Sequence, residues 1–231
     1  MSSHADAVRA MFTRIAARYD LMNSLMTGGR HHAWRRRVAR LAAAAPAGPV
    51  LDLATGTADL ALALHALDPA RVVVGGDFSE GMLRRAQGKL AGRRERGVPL
   101  LACDALALPF GDGAFACVMS AFLLRNLDGL ERGLREMRRV TRPGGRVLAL
   151  DIVRPATPVW DALFRLYFGR VVPAIGALVA GDRPAYTYLP QSVDRFLTPA
   201  ELARLMTKVG LREVGWRRLG LGTIALHSSR V

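Results

Sequence analysis

The chain has 231 residues but only two cysteines, Cys103 and Cys117, and both lie inside apolar stretches without metal-ligand spacing. That argues against a disulfide framework or a cysteine-held metal, and the thiols read as small buried residues of a reducing compartment. Lysine is almost missing. Lys89 and Lys208 are the only two, so the formal net charge of +14 is carried by arginine. Aromatic residues form 6% of the chain and are sparse among the basic ones, which disfavours a base-stacking platform for single-stranded nucleic acid. The longest apolar region, residues 159–180, is broken by Asp161, Arg165, Arg170 and Pro173 and reads as a poor membrane span. No basic-then-apolar leader opens the sequence, so the expectation is a cytoplasmic protein.

Glycine is scarce where it would be most informative. Residues 50–59 read VLDLATGTAD, with Gly56 alone in the turn after an apolar run. A dinucleotide site calls for G-x-G-x-x-G, which lets backbone amides approach a pyrophosphate. Two of those glycines are missing and the spacing is wrong. A ligand without phosphate between strand and helix is expected, and hydride transfer with a nicotinamide cofactor is disfavoured.

What is present is 51% hydrophobic residues, enough to bury one full core. Val8, Met11, Phe12 and Ile15 share a helical face, and a second helix is expected from about residue 31 to 45, stopped by Pro46 and Gly48. Apolar runs then alternate with helical patterns: PVLDLA, RVVVGGDF, VPLLACDA, AFACVMSAF and GRVLALDIV as strands, with DLALALHAL and residues 79–95 as helices, the latter N-capped by Ser79. Alternation of this kind predicts an α/β fold with a mainly parallel sheet covered on both faces, whose ligands bind at the carboxyl ends of the strands. Candidate binding residues follow each strand: Asp52, Gly56 and Thr57, then Asp77 and Phe78, then Asp104 and Ala105. Asp77, some twenty residues past the first turn, suits the two hydroxyls of a ribose, and Asp104 suits an adenine amino group. Asp77 equally suits a helix N-terminus favoured by the dipole.

Together these features resemble the class I S-adenosylmethionine-dependent methyltransferases over about residues 48–153. The resemblance implies a Rossmann-like fold with a seven-stranded, mainly parallel sheet, N-terminal helices and a helical insertion after strand five. It also implies S-adenosylmethionine as cofactor and no metal. The segment MFTRIAARYDLMNSLMTGGRHHAWRR is similar to the signature of the quinone-biosynthesis C-methyltransferases, with Tyr19, Asp20, Met22, Asn23, His31 and Trp34 at the signature positions and Thr27 in place of serine. LLRNL, residues 171–196, LMTKVGL and GTIALH extend the likeness. The chain departs from the family at Leu123, where glycine is usual and where a larger side chain would narrow the quinol pocket. Asp151 stands for glutamate and Ala58 for glycine.

That resemblance implies methylation of a prenylated hydroquinone, with naphthoquinol favoured over the benzoquinol precursor of ubiquinone. Ring-carbon methylation needs a deprotonated hydroxyl, a cation to hold the phenolate, and exclusion of water. Arg125 and Asn126 are expected at the phenolate, Asp20 or His31 as base, and Tyr19 at the cofactor. The domain plan is a helical cap at 1–45, a cofactor core at 48–153, a helical lid at 154–195, and a C-terminal helix and strands at 196–231. WDALFRLYFGRVV is amphipathic enough to cover an apolar pocket at a membrane surface. Its alternative is an ordinary helix packed on the sheet or in a homodimer interface. The net charge, densest in the arginine-rich RHHAWRRRVAR, would draw the protein to anionic lipid headgroups or to nucleic acid, and charge alone does not choose between them. A nucleic-acid methyltransferase is the contrasting reading. Against it, the sequence has no Asn/Asp-Pro-Pro-aromatic motif, so no nucleic-acid partner is expected. A non-catalytic cofactor- or lipid-binding protein is the third.

Overall fold

A computed structural model describes residues 3–92 and 98–231. Seven strands, β1 (Val50–Leu53), β2 (Val73–Asp77), β3 (Leu100–Ala102), β4 (Phe115–Ala121), β5 (Thr141–Ile152), β6 (Arg212–Leu219) and β7 (Ile224–Arg230), form one sheet in the order β3-β2-β1-β4-β5-β7-β6. β1 to β5 run parallel, and β7 lies antiparallel between β5 and β6. β1 and β4 are buried almost throughout, which is why their sequences are continuous apolar runs rather than alternating ones. The outer strand β6 is largely exposed and carries Arg212, Arg217 and Arg218, charges that discourage another chain from adding to the edge.

Helices α1 (Ser3–Ile15), α2 (Tyr19–Thr27) and α3 (Arg30–Ala43) precede the sheet. Gly28 and Gly29, both left-handed, make the corner between α2 and α3. The crossovers are α4 (Asp59–His65), α5 (Glu80–Gly92) and α6 (Leu130–Val140). The helix expected over residues 79–95 is present to Gly92, and Arg93, Arg94 and Glu95 lie outside the described residues. After β5 comes the expected insertion, α7 (Pro158–Leu166), α8 (Val172–Ile175) and α9 (Arg183–Asp194), with π-helical stretches Tyr167–Val171 and Gly176–Ala180 between them. α10 (Pro199–Lys208) follows, opened by a Thr198–Glu201 capping box.

Three apolar clusters hold these layers. One lies between the sheet and α3, α4 and α5, and a second between the sheet and α6 and α10. The third joins α1 and α2 to the insertion through Met11, Ile15, Met22, Val172 and Tyr186. This last cluster sits above the carboxyl ends of the central strands. The cap and the insertion therefore roof the place where strand order reverses between β1 and β4.

Candidate active site

The turn after β1 is built with little glycine. Ala54, Gly56 and Ala58 all have positive φ, at 58°, 57° and 66°. Two alanines in that region cost roughly 1 kcal/mol each, a strain that the surrounding contacts sustain. Asp77, at the end of β2, braces the turn: one carboxylate oxygen accepts the Gly56 N–H at 2.8 Å and the other the Ser79 N–H at 2.8 Å. Burial pushes its pKa upward. Each oxygen keeps a lone pair for a further donor. Asp104 accepts the Leu106 N–H at 2.8 Å.

A cleft of about 490 Å³ runs over these groups, lined by Gly56, Asp77, Phe78, Asp104, Ala105 and Tyr19 among others, and roofed by Ala5, Val8, Arg9 and Phe12 of α1. The expected cofactor residues are thus brought together, with α1 as an unforeseen roof. Asp52 and Thr57 stand apart from that group. They line a small recess that shares Tyr19, Ala54, Gly56 and Ala121 with the cleft. Asp52 is buried; one oxygen accepts from the Thr55 hydroxyl and the Ala61 N–H, while Oδ1 has no partner. An orphaned carboxylate oxygen beside the turn fits the ammonium of a methionine moiety, so the residues present suit the expected cofactor.

Burial raises the Asp52 pKa from 3.8 to about 7. The folded state therefore binds a proton that the unfolded chain has released. This group's contribution to stability is fully present below pH 4, falls as pH rises toward 7, and is level above that. Asp52→Asn should remove this dependence. Its stability relative to the native chain is expected to rise by roughly 3 kcal/mol between pH 5 and pH 8, at 1.4 kcal/mol per pKa unit. Urea unfolding at the two pH values reads this directly; parallel shifts would show that Asp52 does not titrate in that range. Cofactor affinity should fall in the same variant.

A second cavity, of about 370 Å³, lies between the cap, the insertion and the Gly220–Gly222 loop. Its lining is mostly apolar and aromatic, including Met11, Trp34, Trp160, Leu163, Phe164, Tyr167 and Phe168. No carboxylate lines it among the described residues, and Arg30 and Arg125 do. Arg125 Nη1 donates to Asp151 at 2.6 Å and to the Phe122 carbonyl at 2.9 Å, and its Nε is buried without a partner. Asn23 Nδ2 and the Tyr186 hydroxyl, also on lining residues, are likewise buried and unpartnered.

Several expectations change here. Asp20 lines neither cavity. It accepts from the Thr57 hydroxyl at 2.6 Å and pairs with Lys89 at 2.7 Å, and Lys89 also binds Asp59 at 2.6 Å. This network ties α2 to α4 and α5, so Asp20 clamps the cap rather than facing a substrate. His31 is buried and lines the second cavity. Arg35 Nη1 lies against its Nδ1, and a guanidinium has only donors. Nδ1 therefore accepts, and Nε2–H donates to the Ser24 hydroxyl at 3.1 Å. Burial, then the Arg35 charge, lowers its pKa to about 4. A neutral imidazole with both nitrogens engaged is a poor base.

Asn126 lines the cofactor cleft, not the second cavity. Its Nδ2 donates to the Phe122 carbonyl at 3.0 Å, and its Oδ1 accepts from the Tyr188 hydroxyl at 3.2 Å. Tyr188 is the member of the pair that lines the second cavity. Leu123 also faces the cofactor cleft, so it does not narrow the second cavity. Tyr186 and Tyr188 were missed because they stand two apart in α9, off any helical period. Phe122 was missed because nothing in its sequence marks the positive φ of 67° that it adopts.

Comparison with known proteins agrees with this architecture. A structure described as a SAM-dependent methyltransferase from Aquifex aeolicus superposes with a TM-score of 0.65 at 18% identity, covering 92% of this chain and 98% of that one. The [4+2]-cyclase SpnF gives a TM-score of 0.70 at 16% identity, with 96% and 94% covered. At such identities the likeness is one of fold. In sequence, a demethylmenaquinone methyltransferase of Thermus thermophilus is 44% identical over 217 residues, 94% of this chain and 98% of the relative. A ubiquinone/menaquinone biosynthesis C-methyltransferase UbiE of Desulfotalea psychrophila is 42% identical over 225 residues, covering 97% and 90%. The match to a whole family extends over residues 1–230, and the chain belongs to the ubiE/COQ5 methyltransferase family.

Proposed function

We propose that this enzyme transfers a methyl group from S-adenosylmethionine to a ring carbon of a prenylated hydroquinone, with demethylmenaquinol as the preferred acceptor. The observation that carries the reading is the meeting of two cavities. A cofactor cleft and an apolar, carboxylate-free cavity abut at a shared wall, and Arg125 faces the second of them. The names of the relatives support naphthoquinol, and the UbiE name makes the benzoquinol precursor the second acceptor to assay.

When bound, the cofactor supplies an electrophilic methyl on a sulfonium. Everything else falls to the chain. The apolar walls hold the ring and exclude water, which strengthens each charge inside. Arg125 favours the phenolate over the phenol, raising electron density on the neighbouring ring carbon. With Asp20 and His31 both engaged elsewhere, the phenol gives up its proton to water at the cavity mouth before the walls close on the ring. After methyl transfer the proton on the methylated carbon passes to water as the ring regains aromaticity. Methyl-transfer assays with radiolabelled S-adenosylmethionine test the reading. Label is expected in reduced short-chain demethylmenaquinone, little in the sample without reductant, and none in tRNA. Label in tRNA alone would overturn it. His31→Gln should keep kcat within roughly tenfold, because its role is to hold Ser24 and Arg35 in place.

The acceptor's tail implies a membrane surface, and we assign that contact to the insertion and α3. Val159, Trp160, Leu163, Leu166 and Leu178 are exposed, Leu178 at 89%. Trp160 and Leu163 also line the cavity, so the apolar surface continues inward. The helical run Pro158–Val179 is long and apolar enough to cross a membrane, with 22% of its window buried. Its side chains at Phe164, Tyr167 and Phe168 face the cavity, which supports a cover lying on the membrane rather than a span. Arg36, Arg37 and Arg40 are exposed on α3, whose Arg30 and Trp34 reach the same cavity. Sedimentation with anionic vesicles is expected at low salt and release at high salt. Leu163→Ser with Leu178→Ser should weaken it. Equal sedimentation with neutral vesicles would count against the charge contribution, and no sedimentation against the contact itself.

A further inference from the structure

Three residues line both cavities, Phe12, Tyr19 and Phe122. All three are aromatic in a chain that is only 6% aromatic. Phe12 and Tyr19 pack edge to face, with centroids 6.2 Å apart and planes at 72°. Tyr19 also reaches the first turn: its Cε1 lies 4.0 Å from where a Cβ on Gly56 would stand. In the proposed reading the turn takes the methionine portion of the cofactor and Asp77 the ribose, which puts the sulfonium that joins them beside Tyr19. Phe122 is held from three sides. Its N–H donates to the Leu150 carbonyl at 2.7 Å, its carbonyl accepts from Arg125 and Asn126, and its ring carries Arg35 at 5.5 Å and Arg125 at 5.8 Å. Guanidiniums lie over Phe122, whereas Phe12 and Tyr19 carry no cation among the described residues.

We propose that Phe12 and Tyr19, closed off by Phe122, form an aromatic collar that grips the positive charge of the cofactor's sulfonium and so distinguishes S-adenosylmethionine from its uncharged product. Aromatic rings attract a cation through their quadrupole, most strongly where water is excluded. Methyl transfer converts the sulfonium to a neutral thioether. The attraction then vanishes at the moment the product must leave, while the contacts to ribose, adenine and amino acid stay the same. The collar thus sets a preference for the loaded cofactor over the spent one. This inference rests on the assignment of the cleft to the cofactor.

Calorimetric titration of the full chain with S-adenosylmethionine, S-adenosylhomocysteine and sinefungin, which carries an ammonium near the sulfonium position, separates the possibilities. In Phe12→Leu and Tyr19→Leu, affinity for the two cationic ligands is expected to fall about tenfold, with S-adenosylhomocysteine within about twofold of the native chain. Tyr19→Phe keeps the ring and should keep the preference. All three residues are half-buried, and each leucine variant reports independently should the other fail to fold. If all three ligands weaken in parallel, the rings only pack against the cofactor and the collar is overturned. If the native chain binds none of them, the cofactor assignment itself fails, and the collar with it.

Discussion

Replacing Arg125 with alanine should lower kcat by roughly 10²- to 10³-fold, the loss seen when one group stabilising a developing oxyanion is removed. The same change strands Asp151, whose side chain is 2% exposed and which would keep only the Arg125 and Ile152 backbone N–H groups as partners. Leaving a buried charge uncompensated costs about 3–5 kcal/mol, a large share of the stability of an ordinary domain. A drop in activity from the single variant is therefore ambiguous until stability is restored. Arg125→Met with Asp151→Asn removes both charges and keeps an amide oxygen to accept a backbone N–H, so most of the lost stability should return. Activity should not. In the double variant, the remaining rate should climb more steeply at alkaline pH, because the phenol must ionise without help. Recovery of native kcat at neutral pH would show that the pair is architectural and that another group handles the phenolate.

Asp77→Asn is the second large effect, and it acts on cofactor binding. The carboxylate offers an oxygen to each of two backbone donors, Gly56 N–H and Ser79 N–H. An amide has one oxygen and one NH₂, so one of those N–H groups would face a donor. An unsatisfied buried donor costs about 1–3 kcal/mol, and the charge-assisted bond to a ribose hydroxyl is lost as well. The lost ribose bond predicts roughly a ten- to hundredfold rise in the dissociation constant for S-adenosylmethionine, and the stranded N–H a loss of stability in the free protein. Calorimetry reads the first and thermal unfolding the second. Because burial raises the Asp77 pKa, affinity in the native chain should weaken as pH falls through that raised value, where the carboxyl gains a proton and loses an acceptor. The amide of the Asp77→Asn variant does not titrate, so its weak binding should be insensitive to pH. A variant that binds as tightly as the native chain would move the ribose elsewhere in the cleft.

Much of this protein was already legible in its primary structure because the signals were local. Parallel strands buried on both faces must be apolar throughout, and the runs around Leu51, Val74 and Val118 announced them. The acids that end β1, β2 and β3 could be named because an α/β sheet collects its ligands at the carboxyl ends of its strands. The poverty of glycine around Gly56 excluded a pyrophosphate, and the N-terminal signature identified the family. Tertiary structure alone decided which polar groups are free to do chemistry. Asp20 has the composition of a base, but Lys89 reaches it from α5 and occupies it. His31 is taken by Arg35 one turn further along α3, a pairing that the spacing offered, and by the burial that only the fold imposes. Asn126 adjoins Arg125 in sequence, yet the turn that begins at Phe122 sends the two side chains to different cavities. Phe12, Tyr19 and Phe122 are scattered over more than a hundred residues and meet only because α1 and α2 fold over the ends of the strands. Backbone preferences act over a few neighbours and can be read along the chain. Which charges neutralise one another, and which rings share a wall, depends on contacts between distant segments that no local pattern encodes.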